Sequence, residues 1–259
     1  MLEIIICILA GLGAGLGTGF AGMSAAAVIA PMLITFLGMP AYEAVGIALA
    51  SDVLASAISA YTYGKSKNID IKNGLVMMAA VLAFTFVGSL TAKLVPNGAM
   101  GGFSTVMTFL LGIKFIIKPV MTERAAIEGQ SKARRTVSAI IAGSAVGFIC
   151  GFIGAGGGMM MLIILTSVLG YELKCAVGTS VFIMSFTALT GAVSHFVIGG
   201  MPDTVPLVIC VISTLVFAKI AAMVANKASP IVLNRAVGVI LAVLGAAMVA
   251  VNIVNGAWR

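Results

Sequence analysis

The sequence predicts an all-α polytopic membrane protein of two inverted-topology repeats, each a Gly-broken helical hairpin followed by three transmembrane helices. Three observations lead there. The chain is 61% hydrophobic and 9% charged, with mean hydropathy +1.20, against roughly 25% charged residues in a soluble domain; it has too little polar surface to cover itself in water. Its charge-free runs are 4–42, 73–92, 94–113, 136–171, 175–202 and 236–258, and 44–64 is broken only by Asp52. Most reach the ~20 apolar residues that span a bilayer, and the short alternating segments of a β-barrel are absent. Finally, residues 10–76 match 142–208 without a gap at a constant offset of 132. The identities cluster on Gly15, Gly19, Phe20 and Gly22 against Gly147, Gly151, Phe152 and Gly154, and on Ala44-Val45-Gly46 against Ala176-Val177-Gly178.

The first run, 4–42, is too long for one span, as is its counterpart 136–171. As straight helices at 1.5 Å per residue, both would exceed ~50 Å against a hydrocarbon core of ~30 Å. Each must tilt, protrude or break, and the break costs least at Gly15, Gly17, Gly19 and Gly22, and at Gly151, Gly154, Gly156, Gly157 and Gly158. The distribution of Lys and Arg favours the break. With single crossings and the basic loop inside, ten fall inside and five outside; with folded hairpins, thirteen fall inside and only Lys93 and Arg259 outside. Each repeat then has an odd number of passes, which inverts one against the other, a plan common among alternating-access transporters. The competing reading keeps long straight helices and parallel repeats.

The elements follow in order. Repeat one, residues 1–120, holds a hairpin at 3–37 and spans near 41–63, 73–94 and 99–120. A polar cytoplasmic linker covers 121–135. Repeat two, residues 136–259, holds a hairpin at 136–169 and spans near 174–198, 204–225 and 232–255. Both termini are expected outside, in a bacterial-type inner membrane. The start of the chain carries Glu3 and no nearby Lys or Arg, so it reads as part of the first helix rather than a signal peptide.

The net charge of +7 lies in short inter-helix loops, where it reports orientation rather than nucleic-acid binding. Cys7, Cys150, Cys175 and Cys210 sit in apolar stretches without CxxC spacing and read as buried small hydrophobes. No cofactor or metal is implied. A metal-ligand cluster, a paired acid and a nucleophile–base set are all lacking, which argues against an intramembrane enzyme.

Four features carry chemistry. The Gly-rich breaks at 17–24 and 151–158, with Gly19, Gly22 and Ser24 in the first, would leave backbone N–H groups and the positive end of a helix dipole free for an anion; the alternative is that the small residues permit close helix packing. Gly178-Thr179-Ser180 and its counterpart Gly46-Ile47-Ala48, with Ser51 one turn later, offer hydroxyls to an oxyanion, or bond back to their own helix. Asp52 is the acid deep in an apolar span, with Met184 opposite it in repeat two; intramembrane charge is expensive, and coupling, an ion contact and a structural role all stay open. His195 aligns with Tyr63 and reads either as a site residue or as a polar cap, while Tyr61 and Tyr63 fall where an inner aromatic belt is expected.

The run Gly151 to Gly158, then Gly170, then Ala176-Val177-Gly178-Thr179-Ser180 resembles the TauE/SafE sulfite-exporter family, whose members carry a Gly-rich element and a G-T-S element in duplicated halves. The resemblance extends over nearly the whole chain. It implies a secondary transporter that moves small sulfur-containing anions such as sulfite, sulfoacetate or another organosulfonate, usually outward, and makes Gly154, Gly156, Gly157, Gly158, Thr179 and Ser180 the family-like site residues. Repeat one departs from the pattern, with Gly22-Met23-Ser24-Ala25 and Gly46-Ile47-Ala48 in the matching places. The expected partners are a small anionic substrate and the bilayer, with a homodimer left open. The two breaks are expected to face each other near the midplane, with Asp52 in proton coupling. The rival is a cation- or proton-coupled uptake carrier for another small solute, with Asp52 as the ion ligand.

Overall fold

The computed structural model describes residues 1–94, 106, 109–110, 113, 116–117, 132–153, 157–167, 169, 171–227 and 229–254. The described residues form helices and no strand: α1 (Leu2–Ala21), α2 (Ala26–Leu37), α3 (Ala41–Lys65), α4 (Ile71–Ala92), α5 (Lys132–Ile153), α6 (Gly157–Ser167), α7 (Leu173–Gly199), α8 (Thr204–Ala225) and α9 (Pro230–Val254). Among them α1, α3, α7, α8 and the Gly74–Ala92 part of α4 are long and apolar enough to cross a membrane. The expected span at 99–120 and the linker residues 121–131 lie largely outside the described residues. Residues 132–135, expected at the end of the linker, are instead the first turn of α5: Lys132, Ala133, Arg134 and Arg135 are strong helix formers and carry the helix out beyond its apolar run.

Both long runs break, as their length demands. In the first, Gly22 adopts the left-handed conformation (φ 63°); its N–H donates to Thr18 O and that of Met23 to Gly17 O. The chain turns through Met23 and Ser24 and returns as the twelve-residue α2, which ends in the same way at Gly38 (φ 65°). A side chain at either position would strain the backbone. In the second run α5 stops at Ile153 and α6 starts at Gly157.

Polarity is inside out relative to a soluble protein. Val208, Ile212, Val216 and Ile220 form an exposed stripe at four-residue spacing on α8, and Phe86 and Leu90 do likewise on α4, while Thr18, Ser24, Ser51, Asp52, Ser56, Ser59, Ser180 and His195 are buried. Large apolar side chains outward and polar groups inward suit a hydrocarbon solvent.

Tight helix pairs give the fold its frame. Gly11, Gly15 and Gly19 of α1 lie against Ser213, Ala218 and Ala221 of α8; a Cβ at Gly15 would come 2.7 Å from the Ala218 amide nitrogen. Their counterparts at the 132 offset, Gly143, Gly147 and Gly151 of α5, lie in the same way against Met77, Val81 and Thr85 of α4. These glycines at i, i+4, i+8 let backbones touch, the close-packing role. Between these pairs α3 packs on α7, with Gly46 beside His195 and Phe196, Gly191 beside Leu49 and Gly178 beside Tyr63. Positions rise along one helix as they fall along the other, so α3 and α7, which occupy equivalent places in the sequence repeat, run antiparallel.

Candidate functional site

Asp52 lies midway along α3 and is fully buried. Its carboxylate is held by the N-terminal end of α2: the Ser24 hydroxyl donates to Oδ2 at 2.6 Å and the Ala25 backbone N–H also bonds it. One turn further along α3, the Ser56 hydroxyl donates to Oδ1 at 2.7 Å. Ser24 Oγ in turn accepts from Ala26 N–H at 3.3 Å. Hydroxyl-to-carboxylate bonds of this length are charge-assisted, and the start of a helix supplies positive potential to this fully buried acid. The donors at the first break, expected to be free for an anion, are thus engaged by the chain's own carboxylate.

The second break meets the first at this point. Gly158, in the first turn of α6, is so close that a Cβ there would stand 2.6 Å from both Gly22 O and Ser24 N. The Ser180 hydroxyl of α7 bridges the two, at 3.2 Å from Gly22 O and 3.1 Å from Gly158 O. Gly22 itself lies against Val177, near the Lys65 end of the α3–α7 pair, while Ser24 is level with mid-α3. The first break is thus not wholly at the middle of the bundle, as expected, but slopes from there toward the Lys65 end, because α1 runs twenty residues, about 30 Å, before it turns.

The structure thus gathers Gly22, Ser24, Asp52, Gly158 and Ser180 into one cluster and leaves other candidates apart. Ser51 is buried but bonds back to Ile47 O at 2.9 Å, the self-bonding alternative. Thr179 accepts from the Asp70 N–H at 3.0 Å and so serves the turn before α4; neighbouring helix positions point about 100° apart and cannot both face the breaks. Gly157 opens α6. Gly154 and Gly156 lie outside the described residues.

Gly19 and His195 belong to a second pattern. Where α1 ends, the carbonyl of Gly19 accepts from the Tyr63 hydroxyl at 3.0 Å. At the equivalent place on α5 the carbonyl of Gly151 lies 3.0 Å from His195 Nε2. Tyr63 and His195 occupy matching positions in the repeat, as do Gly19 and Gly151, so two different side chains cap the same carbonyl in the two halves. The other ring nitrogen of His195 is 3.2 Å from Tyr42 O, and its ring stacks on Tyr42 with centroids 4.2 Å apart. Tyr63, expected in an interfacial belt, is instead 1% exposed; Tyr61, at 60%, fits that belt.

Sequence reasoning missed Ser56 and the capping role of Tyr63. Ser56 stands four residues after Asp52, a spacing that puts the two on one helix face, and that signal was available. Tyr63 had the repeat alignment with His195 to mark it.

The family model for "Sulfite exporter TauE/SafE" matches residues 7–248 of the chain. Among curated relatives, the probable membrane transporter protein YdhB of Bacillus subtilis is 26% identical, over 80% of this chain and 84% of its own length. The probable membrane transporter protein YunE of the same organism is 24% identical, over 76% and 80%. A probable membrane transporter protein of Methanocaldococcus jannaschii is 27% identical, over 75% and 73%. No solved structure matches the chain significantly.

Proposed function

The chain belongs to the sulfite exporter TauE/SafE family of membrane transporters, and on that footing we propose that it is a secondary transporter exporting a small sulfur-containing anion, sulfite, sulfoacetate or another organosulfonate, with proton coupling through Asp52. The observation that carries this reading is the seat of Asp52: a carboxylate held by Ser24 Oγ, Ser56 Oγ and the Ala25 N–H at the contact of two helix breaks. A sulfonate or sulfite oxyanion is recognised by the same kind of donors, hydroxyls and helix N-terminal amides. It competes with the carboxylate for them, and protonation of Asp52 releases them. Anion binding and proton uptake are then linked at one place, which is what a proton-coupled carrier needs. Ser180, bridging both breaks, couples occupancy of the seat to their separation. No Lys or Arg enters the surroundings of Asp52 among the described residues, so a singly charged anion suits the seat better than a polyanion.

Inverted repeats complete the reading. The antiparallel packing of α3 and α7 supports them, as do the matching pairs of α1 with α8 and α5 with α4. The Lys65 end of α3, with Lys67 next to it in the chain and Lys174 at the start of the antiparallel α7, is then the cytoplasmic end, residues 1–120 and 136–259 are the two repeats, and Gly19, Thr179 and His195 act on the site indirectly through packing and capping.

The test is counterflow in proteoliposomes. Vesicles preloaded with unlabelled sulfoacetate are expected to accumulate labelled sulfoacetate saturably, with acetate failing to substitute. Absence of counterflow with every sulfur-containing anion tried refutes the substrate class, and non-saturable flux refutes a carrier.

A further inference from the structure

We propose that Asp52 exchanges its proton with the Lys65 side of the membrane alone, along a hydroxyl-lined route on α3 formed by Ser56, Ser59 and Tyr63 and completed by water at Ser59. Asp52, Ser56, Ser59 and Tyr63 are spaced by four, three and four residues, which places them on one face of a helix. They are 0%, 0%, 0% and 1% exposed. The row starts at mid-α3 and ends two residues before Lys65. Ser56 already donates to Asp52 Oδ1 at 2.7 Å, and Tyr63 is fixed on Gly19 O at the far end. Between them Ser59 Oγ is buried with no hydrogen-bond partner among the described residues. A hydroxyl can nearly always satisfy itself on its own helix, as Ser51, Thr85 and Thr187 do here. One that does not, in an apolar interior, calls for water.

The other half of the molecule carries the matching row and shows the contrast. At the 132 offset, the equivalents of Asp52, Ser56, Ser59 and Tyr63 are Met184, Ala188, Gly191 and His195 on α7. Met184 and Ala188 are fully buried, and the space over Gly191 is filled by Leu49 Cδ1, 2.9 Å from where a Cβ would stand. Water has no polar partner along that row until His195. The groups that face Asp52 itself are Ser24 and the Ala25 N–H from the first break, Ser56 from its own helix, and Cys150 of α5; of these Cys150 alone lies toward the His195 end, next to Gly151, and a thiol is a weak donor and a weak acceptor beside a hydroxyl. The duplication thus kept the helix and gave hydroxyls to one side only.

The transfer balances. A water at Ser59 gives one proton to Ser56 Oγ as Ser56 gives its own to Asp52 Oδ1; the water regains a proton from the aqueous side, and every hydroxyl ends neutral. The inference rests on the coupling reading above, and its test separates the two. In proteoliposomes of determined orientation, substrate-driven proton movement is followed for wild type, Ser59→Val, Ser59→Thr and Asp52→Asn, with sulfoacetate binding measured on each as the check on folding. Ser59→Val is expected to slow proton movement by about tenfold or more with binding unchanged, while Ser59→Thr, which keeps the hydroxyl, stays near wild type. Wild-type proton movement in Ser59→Val with none in Asp52→Asn overturns the route and leaves coupling standing. Proton movement retained in Asp52→Asn overturns the coupling reading itself. In a second measurement, Ser59→Cys combined with Cys175→Ser is expected to react with a small membrane-impermeant thiol reagent added on the Lys65 side only. Reaction from the opposite side, or from neither, overturns the route.

Discussion

Replacing Gly158 by Ala tests the contact between the two breaks. A methyl group there would stand 2.6 Å from Gly22 O and from Ser24 N, and 2.8 Å from Met23 C. All three are backbone atoms of a tight turn, so no side chain can swing aside, and the breaks must part until ordinary contact near 3.4 Å is restored. Overpacking of this kind costs about 1–3 kcal/mol. The Ser180 hydroxyl, at 3.2 Å and 3.1 Å from the two carbonyls, then loses one of them, for about 1 kcal/mol more. The sum, about 2–4 kcal/mol, corresponds to a fall in Tm on the order of 5–10 °C for a chain of this size. Buried Cys7, Cys150 and Cys210 supply the assay: a thiol-reactive fluorophore reports their exposure as detergent-solubilised protein is heated. Gly17→Ala is the control, because its Cβ would come no nearer than 3.5 Å to another residue, at the flexible Met23 side chain, an ordinary van der Waals contact. If Gly158→Ala and Gly17→Ala melt alike, the breaks do not touch and the cluster around Asp52 is wrongly assembled.

Tyr63→Phe strips the cap from the Gly19 carbonyl, and His195→Phe does the same at Gly151 while keeping the ring stacked on Tyr42. Tyr63→Phe is expected to cost about 1–3 kcal/mol in the same melt, the penalty for an unpaired buried carbonyl, and His195→Phe less at Gly151, because the Ser89 hydroxyl still donates to that carbonyl at 3.3 Å. The double variant should give the sum to within about 0.5 kcal/mol, because the two caps share no partner; strong non-additivity would show that they act as one unit. Asp203 caps α8 by accepting from Val205 N–H at 3.1 Å; Asp203→Ala should cost about 0.5–2 kcal/mol and leave substrate binding unchanged. Altered binding in that variant would tie this exposed turn to the site.

The spans were legible because charge is prohibitive in hydrocarbon: α7 (Leu173–Gly199) closely follows the apolar run between Lys174 and Asp203, and α8 opens directly after Asp203. The first break was legible for a geometric reason, since no straight helix of that length fits a bilayer, and Gly22 is where the chain can turn left-handed. Other glycines were ambiguous on paper. Gly15 and Gly147 prove to be contact points for neighbouring helices, which no local pattern separates from a break. Ser24 and Asp52 each stood out alone, yet their pairing across 28 residues is a product of how α2 returns along α3. The burial of Tyr63 was hidden for a similar reason: an aromatic near a helix end belongs to a belt unless a neighbouring helix ends beside it with a carbonyl to satisfy.

The most direct test of the seat is the affinity of purified protein for a panel of sulfite, sulfoacetate, taurine, sulfate and acetate, read as thermal stabilisation, with Asp52→Asn alongside. Competition between carboxylate and substrate predicts selective stabilisation by sulfite or a sulfonate that Asp52→Asn retains or strengthens. Loss of that stabilisation in Asp52→Asn, or stabilisation by a cation that disappears with Asp52, contradicts it and makes the acid a ligand instead of a competitor.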